Sequence, residues 1–513
     1  MIKTIFIQYI LIGFSLEISF QGYCLDGSRV GGKLIKITRM GSLFSILIFC
    51  ALLAVLFSNE YFLSPVQADT ITVNSIDDII EDTGKCTLRE AIISANTDTP
   101  SGSTGGECVA GSGPDTITLP AETYSLSIIN SSPAGGGVHI WIVAPLTITG
   151  AGQGSTIIQS ELGSAGIFYV SGTTLDLANI TLAGGNTVSG GAIYNANFGS
   201  LDITNTTFMG NSAGNGGAIY NAAGSTTSVA HSNFLNNISL GSGGAIYSGS
   251  GTVTITDTTF SGNSAGGNLI NGVGGAIYNS SILNITESVL SGNTATKGGA
   301  ITNGQYATLM IKQSTLSGNS AAKDDFGNGG AIQNYGVLTL INSTLSGNIA
   351  GGASSVGGGI TNDIYGTVNL FNSTLSGNSA FLGGGIRTDG TVNITNTIIA
   401  NSPSGGDCVR GYGNIITNVN NLIEDGSCFA TISGDPNLGP LANNGGPTLT
   451  HDLLSGSWAI NMGSDIACVA SPVFGIDQRG LIRPQGAHCD IGAVESALAS
   501  PVLVFVYLPL LIK

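Results

Sequence analysis

The chain has 513 residues, of which 78 are glycine and only 9% are charged, and its formal net charge is −16. A chain with so few cations and this net charge is unsuited to binding nucleic acid, and the composition fits a soluble extracellular surface. The length is sufficient for a large core.

Residues 1–68 have the pattern of a targeting segment. Three basic residues precede an apolar run over 43–57, and residues 66–68 read Val-Gln-Ala, which suits a cleavage site. We therefore expect export through a signal peptide that starts at Met40, with residues 1–39 as an upstream extension. A retained membrane anchor is the alternative, although the run is short for a spanning helix.

Export changes the expected chemistry of the cysteines that follow. They form three local pairs, Cys86 and Cys108, Cys408 and Cys428, and Cys468 and Cys489. Disulfides between these neighbours are the simple interpretation, although other connectivities are formally open. A zinc site fits poorly because no Cys-x-x-Cys occurs.

Two phrases alternate between residues 190 and 402. The first, Gly-Gly-Ala-Ile or Gly-Gly-Gly-Ile, begins at Gly190, Gly216, Gly243, Gly274, Gly298, Gly329, Gly357 and Gly383. Successive copies are 24 to 31 residues apart, a period typical of solenoids. The second phrase is a Phe or Leu followed three residues later by Asn, as in Phe208 and Asn211.

Apolar residues alternate ahead of each second phrase, which predicts short strands and no helix within a repeat. Each coil can then bury its inward side chains only against its neighbours. The sequence therefore predicts an all-β, right-handed parallel β-helix, a pectate-lyase-like solenoid, because parallel crossovers are nearly always right-handed. We expect the recurring Asn to form an amide ladder and the Gly pair to form a tight corner.

Loop lengths vary mainly on one side of the repeat. The insertions cover 266–273, 322–328 and 351–356, between an Asn of the second phrase and the next Gly pair. We call this side the insertion edge, and in solenoids such an edge is often the binding face. The candidate binding residues expected there are Asp324, Asp325, Phe326, Tyr335 and Tyr365, because aromatic rings can stack on sugars.

The segment after Cys86 predicts a short helix with Leu88, Ala91, Ile92 and Ala95 on one face. Such a helix can cap the open end of the solenoid against edge pairing. Its sequence Cys-Thr-Leu-Arg-Glu-Ala resembles the N-terminal Cys-Ser-Leu-Arg-Glu-Ala segment of a family of exported bacterial β-helix proteins, with Thr87 in place of Ser.

The alternating phrases resemble the repeats of the polymorphic outer-membrane protein family. That resemblance implies a surface adhesin. Members of the family end in an autotransporter β-barrel, for which the stretch after Glu495 is too short.

Residues 434–495 resemble the C-terminal module of the choice-of-anchor proteins, which implies surface attachment. This region holds a dense charge cluster, formed by Asp477, Arg479, Arg483, Asp490 and Glu495. An active site is one interpretation, and a cap held by ion pairs is the favoured one. The apolar tail that follows could be a sorting tail, an added strand or an interfacial anchor.

The predicted organisation has five parts. They are an upstream extension with the signal peptide over 1–68, an N-terminal cap with the first coils over 69–185, repeated coils over 186–402, C-terminal coils with a disulfide-linked cap or anchor module over 403–496, and an apolar tail over 497–513.

An enzyme with this fold would belong to the polysaccharide lyases or glycoside hydrolases, with Ca²⁺ as a conceivable cofactor. The catalytic candidates are Asp324, Asp325, Asp363 and Arg387, expected on consecutive coils near the insertion edge. They do not form a complete catalytic motif, and fold alone does not give function. We therefore predict a non-catalytic protein without a cofactor, exported to the cell surface or secreted. It would associate with the cell envelope and bind a glycan or a cell-surface partner.

Overall fold

A computed structural model describes residues 69–131, 137–161, 163, 165–266, 272–321 and 326–496. The expected signal peptide and apolar tail lie outside these residues, and so do Asp324 and Asp325. In the part of the chain that is described, no helix is both long and apolar enough to cross a membrane.

Four sheets run along the length of the solenoid, with 13, 12, 7 and 12 strands. The coils from residue 200 to residue 350 contribute to all four sheets in the same order, as in Ser200–Thr204, Thr207–Met209, Ser212–Asn215 and Ile219–Asn221. Every strand of such a coil pairs in parallel with the equivalent strand of the next one, for example Phe208 with Phe234. In the two later coils, isolated bridges at Ser379 and Ser404 replace the strand of the third sheet. The predicted parallel β-helix is confirmed.

The first sheet contains Thr70–Thr72, Asp115–Leu119, Leu146–Gly150, Thr174–Ala178, Ser200–Thr204, Thr226–Ala230, Thr252–Thr256, Ile282–Thr286, Thr308–Lys312, Val337–Ile341, Thr367–Phe371, Thr391–Thr395 and Asn414–Val419. The second contains Thr123–Leu126, Ile157–Ser160, Thr181–Ala183, Thr207–Met209, Asn233–Leu235, Thr259–Ser261, Val289–Ser291, Thr315–Ser317, Thr344–Ser346, Thr374–Ser376, Ile398–Ala400 and Leu422–Ile423. The third contains Asn186–Ser189, Ser212–Asn215, Ile238–Ser239, Ser264–Ala265, Thr294–Ala295, Ser320–Ala321 and Ile349–Ala350. The fourth contains Asn130–Ser131, Gly137–Ile142, Ala165–Ser171, Ile193–Ala196, Ile219–Asn221, Ile246–Ser248, Ile277–Asn279, Ile301–Asn303, Ile332–Asn334, Ile360–Asn362, Ile386–Thr388 and Cys408–Arg410.

The core consists of files of like residues, because alternate strand positions point inward and repeat from coil to coil. Phe208, Phe234 and Phe260 are fully buried, and adjacent rings stack with centroids 4.6 Å apart. Leucines continue the same file in the later coils. Burial of this continuous apolar surface is the main stabilising term.

A buried amide ladder follows the corner between the second and third sheets, as predicted. Asn293 is representative: its Nδ2 donates to Asn319 Oδ1 at 2.9 Å and to the Phe260 carbonyl at 3.1 Å, while its backbone N donates to the same Asn319 oxygen at 3.0 Å. A second ladder, which was not predicted from the sequence, is formed by Asn residues that end strands of the fourth sheet. There Asn303 Nδ2 donates to Asn334 Oδ1 at 2.8 Å, and Asn334 does the same to Asn362.

The Gly pair forms the corner between the third and fourth sheets. Gly243 has a φ of +67°, a left-handed value that favours glycine. Gly244 meets the next coil so closely that a Cβ there would collide with the carbonyl oxygen of Gly275. Glycine is therefore favoured at the first position by the left-handed backbone, and at the second by the close approach of the next coil.

The predicted capping helix spans Leu88–Thr97. The Thr87 hydroxyl accepts from the Glu90 backbone N, and the Glu90 side chain accepts from the Thr87 backbone N, so the two form a capping box. A Thr hydroxyl performs this role as a Ser hydroxyl would. Arg89 is buried and pairs with Asp78 at 2.6 Å, which fixes the helix to the first coils.

The C-terminal region has two separate roles. Ile415, Cys428 and Ala430 pack against the end of the main core. Residues 434–496, which we call the lateral module, instead fold back along the outer face of the second sheet. Thr344 Oγ1 donates to Gln478 Oε1 at 2.7 Å, and Ala493 N donates to Thr374 Oγ1 at 3.0 Å. The predicted cap is thus mainly a cover on the side of the solenoid.

A second hydrophobic core holds the lateral module in place. It contains Ile398, Ala400, Leu422, Leu453, Ala459, Ile460, Ile491 and Val494. The module also contains an antiparallel pair, Leu438–Ala442 with Thr450–Leu453, and a helix, Asp465–Val469. The structure joins the cysteines in the three predicted pairs, Cys86–Cys108, Cys408–Cys428 and Cys468–Cys489.

Candidate binding surfaces

The charge cluster of the lateral module is internal. Arg483 and Glu495 are fully buried and pair at 3.0 Å. Arg483 also donates to the carbonyls of Asp490 and Gly492, at 3.1 and 2.8 Å. Asp477 is buried too and pairs with Arg479 at 2.8 Å. These groups join distant parts of the module, which supports the structural interpretation over an active site.

Asp490 completes this buried network. Its carboxylate accepts from the backbone N of Asn461 and of Ser496, each at 2.6 Å. Burial nevertheless raises the pKa of Asp490 to about 6, because desolvation outweighs the effect of those hydrogen bonds and of Arg483, and the nearby Glu495 charge adds to the rise.

Of the catalytic candidates, Asp363 and Arg387 lie on neighbouring coils. Arg387 is on the outer face of the fourth sheet, where it pairs with Asp389 at 3.1 Å. Asp363 directly follows Ile360–Asn362, at the corner where the fourth sheet leads into the first. The insertion edge precedes the fourth sheet, so Asp363 lies at the other end of that strand and not near the insertions as predicted. Across the described ranges no group of three or more His, Cys, Asp or Glu could hold a metal ion.

The insertion edge carries exposed apolar side chains on successive coils. Phe326 is 64% exposed and Phe381 58% exposed, and Ile349 and Leu382 are exposed as well. The insertions return to register just before each Gly pair, where Asn328, Val356 and Leu382 form consecutive β-bridges. Loop length can therefore vary here without disturbing the core.

Tyr335 and Tyr365 do not lie on the insertion edge. Both follow fourth-sheet strands, at the same corner as Asp363. Tyr335 is partly buried, and this burial raises its pKa to about 12, with smaller contributions from Asp363 and Tyr278. Tyr365 is largely exposed. Of the predicted binding residues, Phe326 alone is placed by the structure on the insertion edge, since Asp324 and Asp325 fall outside the described residues.

The corner between the fourth and first sheets carries the most exposed rings. Phe198 is 81% exposed, Tyr306 91%, Tyr365 73% and Tyr412 88%. We call these four residues the aromatic corner. Only Tyr365 among them is predicted from the sequence. Phe198, Tyr306 and Tyr365 nevertheless share one position in the repeat, three residues after the Asn that is the third residue of the fourth-sheet strand.

A file of stacked rings lies on the outer face of the fourth sheet. It consists of Trp141, Tyr169, Tyr194, Tyr220, Tyr247 and Tyr278, whose neighbouring centroids are 4.7 to 5.4 Å apart. Burial raises the pKa of Tyr194, Tyr220 and Tyr247. Because the ring faces cover one another, this file stabilises the sheet and presents only ring edges and hydroxyls.

Comparison with known proteins relates the coils to one family. Residues 205–222, 231–249 and 257–280 match the Chlamydia polymorphic membrane protein repeat. The repeats are similar to those of polymorphic membrane proteins. This similarity suggests a surface-exposed β-helix protein with an outer-membrane or surface location. No curated protein matches the chain.

Two solved structures are distantly similar to this chain. The PL6 family alginate lyase AlyGC is 13% identical over 66% of this chain, with a TM-score of 0.36, and the match spans about half of its own length, 53%. Pectate lyase Pel9A is 15% identical over 84% of this chain and 98% of its own, with a TM-score of 0.39. Likenesses this distant carry no information about activity.

Proposed function

We propose that the protein is exported to the cell surface and, without catalysing a reaction, binds a glycan or another surface partner through the insertion edge. The observation that carries this proposal is the group of exposed apolar side chains, including Phe326 and Phe381, where loop length varies. Exposed apolar groups among polar loops are typical of interaction sites. Loops on a rigid scaffold are also where binding residues concentrate.

The arrangement of charges supports a non-catalytic role. Arg387 pairs with Asp389. In the lateral module, the buried Asp477 pairs with Arg479, and the buried Glu495 pairs with Arg483. Three disulfides suit an oxidising compartment outside the cytosol, which supports export. The lateral module would provide attachment to the envelope.

The test uses the full chain against a panel of neutral and acidic glycans and of bacterial envelope preparations. The double variant Phe326→Ala/Phe381→Ala should weaken binding by roughly tenfold or more, as expected for loss of central apolar contacts. Trp458→Ala is the matched control for the glycan panel, because Trp458 is similarly exposed but lies in the lateral module. Undiminished binding by the double variant would remove the insertion edge from the proposal.

The same samples test the alternative, a polysaccharide lyase or glycoside hydrolase. New reducing ends or unsaturated uronates, formed with or without Ca²⁺ and lost in Asp325→Ala or Asp363→Ala, would replace the binding proposal with an enzymatic one. We expect no turnover.

A further inference from the structure

Three of the four rings of the aromatic corner, all tyrosines, recur at a regular interval along the solenoid. Tyr306 and Tyr365 occupy the same position, three residues after the strand-ending Asn303 and Asn362, and Asn334 lies between these two in the register. Tyr412 is two coils further, because Asn362 pairs with Thr388 and Thr388 with Arg410. Adjacent strands lie about 4.8 Å apart, so these tyrosines recur about every 10 Å along the axis.

The coils between them leave room on either side of each ring. There the fourth and first sheets are joined by only two residues, Tyr335-Gly336 and Asp389-Gly390, whereas the connection that bears Tyr306 covers 304–307 and the one that bears Tyr365 covers 363–366. Within the described residues, no aromatic ring stacks on Tyr306, Tyr365 or Tyr412. Their faces therefore stay available, unlike those of the stacked file on the fourth sheet.

At two positions of the aromatic corner, Tyr306 and Phe198, the backbone conformation is unfavourable for the residue present. Tyr306 has a φ of +66° and Phe198 a φ of +65°, a left-handed conformation that is unfavourable for bulky side chains. Gly224 holds the equivalent position one coil after Phe198, at a φ of +78°. A residue that is strained and almost fully exposed gains little from burial, and such strain is typical of functional positions.

The polar groups around the rings define the charge of a ligand. The Tyr412 backbone N donates to Asp389 Oδ1 at 3.0 Å, and Asp389 pairs with Arg387. Asp363 adds a further carboxylate beside Tyr365. Two carboxylates, of Asp363 and Asp389, and two guanidinium groups, of Arg387 and the exposed Arg410, give this corner a local charge near zero, on a chain with a net charge of −16. This surface has no excess positive charge to attract a polyanion, and it offers hydrogen bonds to the hydroxyl groups of a neutral ligand.

We propose that the aromatic corner is a second binding site, for an extended neutral polysaccharide that lies parallel to the solenoid axis. A sugar ring presents a face of C–H groups that can pack on a tyrosine face, while its hydroxyls remain hydrogen-bonded. The axial distance between neighbouring tyrosines, two coils, is about the length of two sugar units in an extended polysaccharide chain. Tyr306, Tyr365 and Tyr412 would then contact every second sugar, independently of the insertion edge.

Isothermal titration of the full chain tests this site, with cello-, xylo- and manno-oligosaccharides from dimer to hexamer as probes and oligogalacturonates as the charged comparison. At least one neutral series should bind, and its affinity should rise steeply once the oligomer reaches two tyrosines, because the second contact is then intramolecular. Tyr365→Ala should weaken binding of the hexamer by roughly tenfold, whereas Tyr365→Phe, which keeps the ring, should retain most of it.

Tyr306→Gly separates binding from folding. Glycine relieves the left-handed strain, so this variant should keep or raise the melting temperature while hexamer binding falls. Phe326→Ala/Phe381→Ala should leave hexamer binding unchanged, which distinguishes this site from the insertion edge. The proposal is overturned if no neutral hexamer binds, if Tyr365→Ala binds as wild type does, or if oligogalacturonate binds more tightly than every neutral series.

Discussion

The repeated coils and the lateral module are stabilised in different ways. In the coils a side chain meets its own equivalent one coil away, as Asn293 meets Asn319 and Phe208 meets Phe234. In the module each contact is made once, as between Arg483 and Glu495. A solenoid spreads its stability over similar neighbouring interfaces, so a local defect is shared. The module has no repeated interfaces of this kind, so its stability should depend on single residues.

The largest expected effect is in the module. Arg483→Met leaves Glu495 buried without its partner, and breaking a buried pair in this way costs about 3–5 kcal/mol. Hydrogen exchange measured by mass spectrometry should show faster exchange of amides over 434–496, with little change over 186–300. Arg483→Met/Glu495→Leu is the matched double variant and should recover part of the protection. Equal acceleration throughout the chain would contradict the comparison.

A smaller and more local effect is expected in the coils. Asn293→Ala removes the acceptor of the Asn263 backbone N, and a buried unsatisfied group of this kind costs about 1–3 kcal/mol. Asn263 Nδ2 loses one of its two acceptors and keeps the Phe234 carbonyl. Exchange should accelerate in the coils adjacent to residue 293 and remain slow in the module. Asn284→Ala, on the outward face of the same coil, is the control and should have little effect. Slow exchange around residue 293 in the variant would mean that the ladder does not stabilise the corner.

The smallest effect is a pH dependence confined to the module. The pKa of Asp490 is raised to about 6 in the folded state, so the folded module binds this proton more tightly than the unfolded chain does. Its contribution to stability is therefore full below about pH 4 and is lost as the pH rises through about 6, with a slope of at most about 1.4 kcal/mol per pH unit. His451 in the same module acts in the opposite direction, because burial lowers its pKa and the fold therefore disfavours its protonated form. The contribution of Asp490 is therefore measured as the difference in exchange protection of the module between wild type and a variant without this carboxyl.

Asp490→Asn provides the comparison for that prediction. An amide cannot ionise, so the ratio of protection in the variant to protection in wild type should rise with pH over the same range. The coils around Asn293 should show no such trend in either protein. Parallel pH profiles of wild type and Asp490→Asn between pH 4 and pH 6 would exclude a contribution of Asp490.

Several predicted site residues lie at a different corner of the solenoid from the one expected. The repeat pattern of the sequence does not show which corner a residue occupies. Asp363 and Tyr365 are near the third insertion in sequence, yet a three-residue strand of the fourth sheet, Ile360–Asn362, separates them from it. Such a strand moves the chain by about 10 Å. The second Asn ladder left a signal in the sequence, an Asn two residues after the Ile of the first phrase, but its amide partners became evident only in the folded coils.

The sequence by itself determined the parallel solenoid, the amide ladder after the second phrase, the helical cap at Leu88–Thr97 and the disulfide pairs. These features arise from contacts that are local or that recur with the repeat, so periodicity and spacing encode them. Only the tertiary structure decided that the lateral module covers the second sheet and that Phe326 and Tyr365 lie at opposite corners. The sequence shows that Ile398 and Ala400 stand where earlier coils have an outward Thr and Ser. It does not show that these two residues pack against distant residues such as Leu453 and Ile491. Contacts made once, between segments far apart in the chain, leave no periodic pattern from which they could be predicted.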